Sequence, residues 1–316
     1  MKLLVTGGAG FIGLNFIDYM LRTHKDIEMV CLDALTYAAD EKAVRKFESQ
    51  NNFRFAKGDI RDREGVFSLF ENNIFDAVVN FAAESHVDRS IDCADDFLTT
   101  NIIGTGVLLD GCKKYGNIRF HQISTDEVYG DLPLDSNACF TENSPLKPSS
   151  PYSASKASAD MLVLSFHRTY GLPVTISRSS NNYGPHQHTE KLIPLMINKA
   201  FHGEPLPVYG NGLNQRDWIH VEDHCRAVDM ILHKGTIGEI YNIASGIEHN
   251  NLYVVEKILE LTKKDKNLIS FVADRPGHDL RYAVDSSKIK KELGFTAEKN
   301  FDEGLRETVE WYINKL

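Results

Sequence analysis

The chain has 316 residues, 42% of them hydrophobic, so it can bury a substantial core as one large domain or as a main domain with a smaller lobe. Its net charge of −9 argues against a nucleic-acid-binding protein, and it contains no apolar run near the roughly 18 residues that span a bilayer. Five scattered cysteines without metal-ligand spacing indicate free thiols in a reducing compartment, so we expect a cytoplasmic protein without a metal site.

The first predicted strand, 2–6, leads into a glycine-rich turn and a helix. The turn reads Gly7-Gly8-Ala9-Gly10-Phe11-Ile12-Gly13, and apolar residues recur at helical spacing after it. Glycines there let the backbone approach a pyrophosphate, and the helix offers its N-terminal amides to the negative charge. The turn fits both G-x-G-x-x-G and G-x-x-G-x-x-G, so the pattern leaves open whether Gly7 or Gly8 belongs to the motif.

An acidic residue closes the second predicted strand, 28–33. Asp33 lies 20 residues after Gly13, where a carboxylate can accept hydrogen bonds from both ribose hydroxyls of adenosine. The same charge would repel a 2′-phosphate, so the sequence favours NAD over NADP. An ordinary turn residue is the alternative interpretation of Asp33.

The following elements predict a doubly wound parallel sheet. They are the strands 53–57, 77–81, 119–123 and 174–178 and the helices 94–115 and 152–170. The third strand ends before Gly58-Asp59-Ile60 and the fourth before Ala82-Ala83-Glu84, and small residues there leave room for a flat cofactor across the sheet edge. We therefore predict an α/β Rossmann fold.

Loops rich in glycine, proline and polar residues dominate the chain beyond residue 180. Arginine, lysine, histidine and asparagine in such loops of an acidic protein are suited to phosphate and sugar recognition. We predict an NAD-binding Rossmann domain over 1–180, with returns of the chain near 215–245. A smaller, interleaved C-terminal lobe over 181–316 is predicted to bind the substrate.

Tyr152 and Lys156 are one helical turn apart and project from the same helix face. A lysine cation near a phenol favours the phenolate, which can take a proton from a sugar hydroxyl while a nicotinamide accepts a hydride. Tyr253 and Lys257 have the same spacing, in a segment typical of an ordinary amphipathic helix. Because only Tyr152 follows the fifth strand of a dinucleotide fold, we predict the catalytic pair there.

Asp126 and Glu127 close the fifth strand, at the sheet edge where ligands bind in this architecture. Neighbours on an extended strand face opposite sides, so joint action requires the chain to turn at Asp126. Two acids in one partly desolvated site can hold different protonation states, one donating a proton while the other accepts one, as an elimination of water needs. Thr125 can hydrogen-bond the sugar hydroxyl that Tyr152 deprotonates. A solvated turn is the alternative for the acid pair.

Eight short sequence motifs follow one another along the chain. They are TGGAGFIG at 6–13, AAESHVDRS at 82–90, STDEVYG at 124–130, YSASK at 152–156, SNNYGP at 180–185, EKLIP at 190–194, RDW at 216–218 and RPGHD at 275–279. In this order they resemble the extended short-chain dehydrogenase/reductase superfamily over essentially the whole chain. Within it, the sequence is most similar to the nucleotide-sugar 4,6-dehydratases that act on dTDP-glucose.

The resemblance implies a tightly held NAD⁺ that is recycled within each turnover. In the implied mechanism Tyr152, assisted by Lys156, deprotonates O4 of glucose while hydride leaves C4. Glu127 then removes the C5 proton, and Asp126 protonates the departing C6 hydroxyl. Return of the hydride to C6 gives a 4-keto-6-deoxy sugar, which implies a role in deoxysugar and rhamnose biosynthesis.

Binding residues and a partner are also implied by the resemblance. Those expected to hold the cofactor are Gly7, Gly10, Phe11, Ile12, Gly13, Asp33, Asp59, Ile60, Ala82, Ala83, Tyr152, Lys156 and Asn182. Those expected to hold the nucleotide-sugar are Ser85, Thr125, Asn181, Lys191, Leu192, Pro207, Tyr209, Arg216, Asn251, Arg275 and His278. Relatives dimerise through a four-helix bundle with two long helices from each subunit, and the segments 94–115 and 152–170 fit in length, so we expect a homodimer.

Three features depart from the family pattern. Leu14 replaces a serine that many relatives have after the third glycine, and Ala38-Ala39-Asp40 replaces the usual Ala-Gly-Asn. The connection from Leu132 to Thr141 is also short. We expect the first two to affect the grip on the cofactor and the third to reshape the mouth of the site.

Other functions on the same fold stay open. A 4-epimerase needs neither a base for C5 nor an acid for O6, whereas a UDP-glucuronate decarboxylase can share the glutamate, so Asp126 is the more informative acid. A non-catalytic NAD-binding sensor or scaffold should lack the intact set of Thr125, Tyr152 and Lys156. The base of the nucleotide is left open as thymine, uracil or cytosine, because one or two loop contacts can distinguish them.

Overall fold

Twelve strands and twelve α-helices follow one another along the chain, which a computed structural model describes from residue 1 to residue 316. The strands are β1 (Lys2–Thr6), β2 (Glu28–Asp33), β3 (Phe53–Lys57), β4 (Ala77–Asn80), β5 (Arg119–Thr125), β6 (Val174–Ser179), β7 (Asn181–Tyr183), β8 (Leu206–Tyr209), β9 (Gln215–His220), β10 (Ile240–Ile243), β11 (Glu248–Asn250) and β12 (Ile269–Val272). The helices are α1 (Phe11–Thr23), α2 (Glu41–Arg45), α3 (Arg63–Glu71), α4 (Val87–Asp92), α5 (Asp95–Phe97), α6 (Thr105–Lys114), α7 (Pro151–Tyr170), α8 (Leu192–His202), α9 (Val221–Lys234), α10 (Asn251–Thr262), α11 (Ser287–Leu293) and α12 (Phe301–Ile313). A π-helical segment, Leu98–Gly104, joins α5 to α6, and short 3₁₀ turns span Lys46–Ser49, Asp126–Tyr129 and Lys266–Leu268.

Seven parallel strands form the central sheet, in the order β10-β6-β5-β4-β1-β2-β3. The chain builds outward from β1 through β2 and β3 and then returns to place β4 on the other side of β1. Ligands of doubly wound sheets bind at such a switch point, beyond the carboxyl ends of the strands. The predicted α/β Rossmann fold is therefore confirmed.

Helices cover both faces of this sheet. Leu3 belongs to the apolar core on one face and its neighbour Leu4 to the core on the other, as alternation along a strand requires. The first core is covered by α1, α9 and α11, and the second by α3, α6 and α7. Burial on both faces explains why β1 and β4 are nearly continuous apolar runs. None of the helices combines the length and the apolar character that crossing a membrane requires.

A third apolar core lies in the smaller lobe. Helices α8, α10 and α12 surround it, with Ile197, Ile258 and Val309 among the side chains they bury. Two small sheets belong to this part of the chain, one with the order β11-β9-β7 and one that pairs β12 with β8.

The chain returns twice from the lobe to the Rossmann domain. After β9, helix α9 packs on α1, and β10 pairs with β6 at the edge of the main sheet. A second return, which the sequence analysis did not include, brings α11 back so that Ile289 enters the core beside α9. The predicted interleaving is present, while the boundary near residue 180 stays a prediction.

Helix α7 has strong signals at both ends. Ser150 Oγ accepts a hydrogen bond from Ser153 N, Ser153 Oγ accepts one from Ser150 N, and Pro151 occupies the first helical position. At the other end Gly171 adopts a left-handed conformation with φ +67°, which ends the helix. The cap at Ser150 and Pro151 defines where the helix starts, and therefore where Tyr152 and Lys156 project.

Candidate active site

A cavity of about 330 Å³ opens beyond the carboxyl ends of the central strands. Every residue expected to hold the cofactor and every expected catalytic residue lines it. Of the residues expected to hold the nucleotide-sugar, Ser85, Thr125, Asn181 and Lys191 line it as well. The remaining ones are outside its lining: Leu192, Pro207, Tyr209, Arg216, Asn251, Arg275 and His278.

The glycine turn after β1 follows the second of the two patterns. Gly7, Gly10 and Gly13 line the cavity, whereas a Cβ added at Gly8 would lie 2.5 Å from Cys31 Sγ in the core. Gly7 has φ +68°, and a Cβ there would lie 2.5 Å from Ala82 N. A Cβ at Gly13 would collide with the carbonyl oxygen of Gly7. Helix α1 then begins at Phe11 without a side-chain cap, so its first amides are available to an anion.

Asp33 lies at the end of β2 with both carboxylate oxygens oriented by the backbone. Its Oδ2 accepts from Ala9 N at 2.9 Å and its Oδ1 accepts from Leu35 N at 2.7 Å. Each oxygen retains acceptor capacity for a ribose hydroxyl. Leu35 has φ +56°, an uncommon conformation for a leucine, so this turn holds the carboxylate at some conformational cost.

Two buried acceptors in the cavity lining have no partner in the protein. Asn182 donates to Ser179 Oγ at 3.2 Å and to Ser180 O at 3.0 Å, while its Oδ1 has no partner. Asp126 Oδ2 is buried and unpartnered too. Buried polar atoms without partners cost free energy, so their presence in a cavity marks ligand positions. Asn182, together with the glycine turn and Asp33, fits NAD.

The chain turns at Asp126, as joint action of the two acids requires. Strand β5 ends at Thr125, and Asp126–Tyr129 forms a 3₁₀ turn in which Thr125 Oγ1 accepts from Glu127 N at 3.2 Å. Thr125 Oγ1 also donates to Asp126 Oδ1 at 3.3 Å. The turn therefore brings two consecutive carboxyl groups to one cavity instead of to opposite faces of the sheet.

The two acids lie in different electrostatic surroundings. Asp126 is 2% exposed, and burial followed by the charges of Glu127 and Asp217 raises its pKa well above its usual range. Burial raises the pKa of Glu127 as well, but nearby cations oppose that rise, namely Lys191, Arg275 and Arg216. The arrangement favours a neutral Asp126 beside an ionised Glu127.

The pair of Tyr152 and Lys156 differs in part from the expectation of a stabilised phenolate. Burial and then Glu127 raise the pKa of Tyr152, while a hydrogen bond with Thr125 lowers it. The ammonium of Lys156 donates to Ile123 O at 2.6 Å, and burial lowers its pKa to about 8. Burial is therefore the largest influence on Tyr152, and it holds the pKa of the phenol above its usual value in the protein alone.

A buried ion pair lies behind Lys156, and the sequence analysis missed it. Asp160 is one helical turn after Lys156 on α7, and its Oδ2 accepts from Arg178 Nε at 2.9 Å. Arg178 also donates to Tyr129 OH at 3.0 Å. The charge of Asp160 acts to raise the pKa of Lys156. The i, i+4 spacing from Lys156 is the sequence signal that could have identified Asp160.

Several expected substrate residues gather in a second group on the Glu127 side. Arg275 Nη1 donates to Asp88 Oδ1 at 2.9 Å, and Tyr209 OH donates to Asp88 Oδ2 at 3.5 Å. His278 Nδ1 lies 2.6 Å from Asp274 Oδ1. The guanidinium of Arg216 lies 4.2 Å over the ring of Tyr282 and donates to backbone carbonyls. Outside this group, Leu192 begins α8, Pro207 lies in β8 and Asn251 begins α10.

Asn101 is another residue that sequence reasoning missed. It lies in the π-helical segment, where its Oδ1 accepts from Glu84 N at 2.9 Å and its Nδ2 donates to Glu84 O at 3.0 Å and to Ser155 Oγ at 2.8 Å. It thereby ties the loop after β4 to helix α7, one residue before Lys156. π-Helical segments frequently occur at functional sites.

The departures from the family pattern have distinct environments. Leu14 is buried in the core on the α1 face, not in the cavity lining. Ala38 and Ala39 line the cavity, while Asp40 caps α2 through a bond from Ala43 N to its Oδ1 and lies 3.2 Å from His186 Nδ1. Only the two alanines can therefore touch a ligand directly.

Comparison with known proteins agrees with this geometry. The family model for GDP-mannose 4,6 dehydratase matches residues 4–308. The chain is 51% identical to a dTDP-glucose 4,6-dehydratase of Haemophilus influenzae, over 99% of this chain and 98% of that protein. It is 52% identical to the low-salt glycan biosynthesis protein Agl12 of Haloferax volcanii, over 99% of each chain. Among solved structures, the dTDP-glucose 4,6-dehydratase DesIV of Streptomyces venezuelae, with NAD bound, superposes with a TM-score of 0.95 at 46% identity, over 99% of this chain and 97% of that one.

These full-length similarities indicate the same family as the fold and as the paired acids beside the tyrosine and lysine. The chain belongs to the nucleotide-sugar 4,6-dehydratase family and, within it, to the dTDP-glucose 4,6-dehydratases.

Proposed function

We propose that the protein catalyses the NAD-dependent 4,6-dehydration of dTDP-glucose to dTDP-4-keto-6-deoxyglucose. One observation supports this choice above the others: Asp126 and Glu127 enter the same cavity as Tyr152 and Lys156 and have contrasting electrostatic surroundings. A 4-epimerase has no use for such a pair, since it neither removes a C5 proton nor expels a C6 hydroxyl.

The cofactor is proposed to lie across the switch point of the sheet. The glycine turn and the free amides of α1 would hold its pyrophosphate, Asp33 its adenosine ribose, and Asn182 its other end. When bound, NAD⁺ supplies an acceptor and donor for the hydrogen and electron pair exchanged with C4 and C6, and adds a positive charge to the cavity.

Tyr152 is proposed to take the O4 proton as C4 is oxidised. Burial raises the pKa of the phenol, which must lose its proton before it can act as a base, and every positive charge near it favours that loss. Lys156 supplies one such charge, which Asp160 helps to maintain. Thr125 is placed to hydrogen-bond the same oxygen, because it already interacts with Tyr152.

Glu127 and Asp126 are proposed to divide the elimination between them. Once C4 is a ketone, the neighbouring C5 proton becomes acidic, and Glu127 is the ionised acid able to remove it. Asp126 is kept neutral by burial and by Glu127 itself, so it can donate a proton to the leaving C6 oxygen. The unpartnered Asp126 Oδ2 is the free carboxyl atom available for that bond.

The diphosphate of the substrate is proposed to bind the cations near Glu127. Arg275 is held by Asp88 with its Nε unpartnered, and the Nζ of Lys191 donates only to Ser85 O, at 2.8 Å. Arginine and lysine with spare donors suit a diphosphate. Arg216 is largely occupied by backbone carbonyls, so we assign it a smaller share of this binding.

The proposal is tested by incubating the enzyme with dTDP-glucose and UDP-glucose separately and following the sugar by mass spectrometry. We expect loss of one water from dTDP-glucose, with UDP-glucose converted more slowly. Tyr152→Phe should lower the rate by about 10²- to 10⁴-fold, the usual contribution of an acid–base group. Tyr253→Phe is the matched control, because Tyr253 and Lys257 share the spacing on α10 outside the cavity. A 4-epimer of unchanged mass as the product would contradict the proposal.

We also propose a cytoplasmic homodimer. All five cysteines are unpaired, as expected in a reducing compartment. Three large apolar side chains are exposed on the helical segment Leu98–Gly104 and on α7, which packs against it, namely Leu98 (43%), Ile103 (59%) and Met161 (51%). Scattered exposed apolar residues are common, but a group on two packed helices is typical of an interface such as a four-helix bundle.

Ile103→Arg is expected to convert the dimer to a monomer, because it would bury an unpaired charge in the interface. Size-exclusion chromatography with light scattering measures the change. Ile74→Arg is the control, since Ile74 is 91% exposed in the loop after α3 and lies outside the proposed interface. A wild-type monomer, or an Ile103→Arg variant that stays dimeric, would rule out this interface.

A further inference from the structure

A second cluster of potential ligands lies on the Rossmann domain, outside the active-site cavity. It consists of His24, the residue that follows α1, together with Asp229 and His233 of α9. None of the three lines the cavity, and the function proposed above uses none of them.

The three side chains already converge on one point. His24 Nε2 lies 3.0 Å from each carboxylate oxygen of Asp229, and His233 Nδ1 lies 2.8 Å from Asp229 Oδ1. All the ligand atoms are within 4.8 Å of one another, and the two imidazole rings stack with centroids 5.1 Å apart. Two histidines and one carboxylate are therefore preorganised around a shared space.

Local charge favours a cation in that space. Asp229 is 7% exposed, and its ion-pair partners are these two histidines alone, with no lysine or arginine. Arg226, one turn earlier on α9, is instead occupied by Asp223 and Glu298. His24 caps the C-terminal end of α1 and His233 lies in the last turn of α9, so two helix C-termini add partial negative charge.

The ligand set selects a class of ion. Imidazole nitrogen suits Zn²⁺, Ni²⁺ and Cu²⁺, whereas Ca²⁺ and Mg²⁺ require mainly oxygen ligands. Asp229 and His233 are at i and i+4 on one helix, which places both on one side of the ion. Three protein ligands leave a fourth position of a tetrahedral zinc for water.

We propose that His24, Asp229 and His233 form a binding site for a divalent transition-metal ion, Zn²⁺ in the first place. The ion ties the end of α1 to the end of α9, the two helices that pack side by side on one face of the sheet. Because α1 begins at the cofactor-binding glycine turn and α9 belongs to the chain return from the lobe, the ion strengthens the attachment of that return to the Rossmann domain.

The test uses untagged protein stripped with chelator and titrated with ZnCl₂ by calorimetry. We expect one ion per chain and a rise in Tm on addition of Zn²⁺. His24→Gln and His233→Gln should each weaken binding by about tenfold or more and abolish the rise in Tm. Both side chains are partly exposed, at 32% and 39%, so these variants are expected to fold, which the Tm without metal checks. His202→Gln, at an exposed histidine of α8, is the matched control.

Exposed thiols are the competing ligands, so the titration is repeated with Cys93 and Cys139 replaced by serine. Binding that survives this change supports the histidine site. Co²⁺ serves as a second probe, because its visible absorption reports nitrogen and oxygen ligands without a thiolate band. Equal binding by wild type and both histidine variants, or no binding at millimolar Zn²⁺, would overturn the proposal and leave an ordinary histidine–aspartate hydrogen-bond cluster.

Discussion

Asp126→Asn is expected to lower the rate of water loss by about 10²- to 10⁴-fold while the C5 proton is still removed. The amide cannot supply an acidic proton to the C6 oxygen, whereas Glu127 keeps its position and its cations. Glu127→Gln should abolish both steps, because removal of the C5 proton comes before the C6 hydroxyl leaves. Neither change removes Tyr152 or Lys156, so oxidation at C4 should persist in both variants.

The two variants are distinguished by running the reaction in D₂O and analysing the recovered sugar by mass spectrometry. With Asp126→Asn, deuterium should enter C5 of sugar that has kept its C6 oxygen. With Glu127→Gln, the 4-keto sugar should form without exchange at C5. If both variants lost oxidation, exchange and elimination to the same degree, the division of roles between the acids would be wrong.

Asp160→Asn is expected to cost about 3–5 kcal/mol of unfolding free energy, because it leaves Arg178 as an uncompensated buried cation. Asp160 and Arg178 are 0% and 1% exposed, so solvent cannot replace the lost partner. Denaturant unfolding measures the loss. A change below about 1 kcal/mol, typical of exposed pairs, would show that the pair is not structurally important.

The same substitution should also change catalysis through Lys156. Burial lowers the pKa of this lysine to about 8, and Asp160 is the charge that opposes the fall. Without Asp160 the pKa drops further, so Lys156 loses its proton at a lower pH and the rate should decline earlier as pH rises. In the double variant Asp160→Asn with Arg178→Met, stability should recover in part. If its pH–rate profile also matched the wild type, Asp160 would have no effect on Lys156.

Local patterns in the sequence were sufficient to predict the strands of the first half of the sheet. The predicted strands 2–6, 28–33 and 53–57 coincide with β1, β2 and β3, since each is a short run bounded by turn residues. Strands β5 and β6 extend past their predicted ends to Thr125 and Ser179, because pairing between them continues through polar residues that no hydropathy pattern marks. Predicted strand 77–81 ends one residue early, at Asn80.

Features that depend on tertiary contacts could not be predicted in this way. The predicted helix 94–115 is helical from Asp95 to Lys114, but its π-helical section is a matter of hydrogen-bond register that composition does not encode. Helix α11 is too short for a clear periodic signal, and it reaches the Rossmann core with one buried side chain, Ile289, and the partly buried Leu293. Asp160 could have been suspected from its spacing, whereas its partner Arg178 lies inside a strand and meets it only through helix–sheet packing.

The sequence analysis located the cofactor residues of the site better than the substrate residues. Most cofactor residues lie at or shortly after the carboxyl ends of strands, so their positions follow from the order of elements, and they line one cavity. Substrate residues such as Arg275 and Tyr209 come from separate segments of the lobe, and their grouping around Asp88 could be seen only in the folded chain. The sequence shows a lysine one helical turn from Tyr152, but it does not show the degree of burial that raises the pKa of the phenol.

The fate of a label at C4 tests the central claim most directly. With dTDP-glucose deuterated at C4 in ordinary water, the account predicts that the deuterium appears at C6 of a product that has lost one water. The same reaction with unlabelled substrate in D₂O should place a solvent deuterium at C5, where Glu127 acts. Deuterium retained at C4 of an epimerised sugar, or released to solvent, would contradict the account.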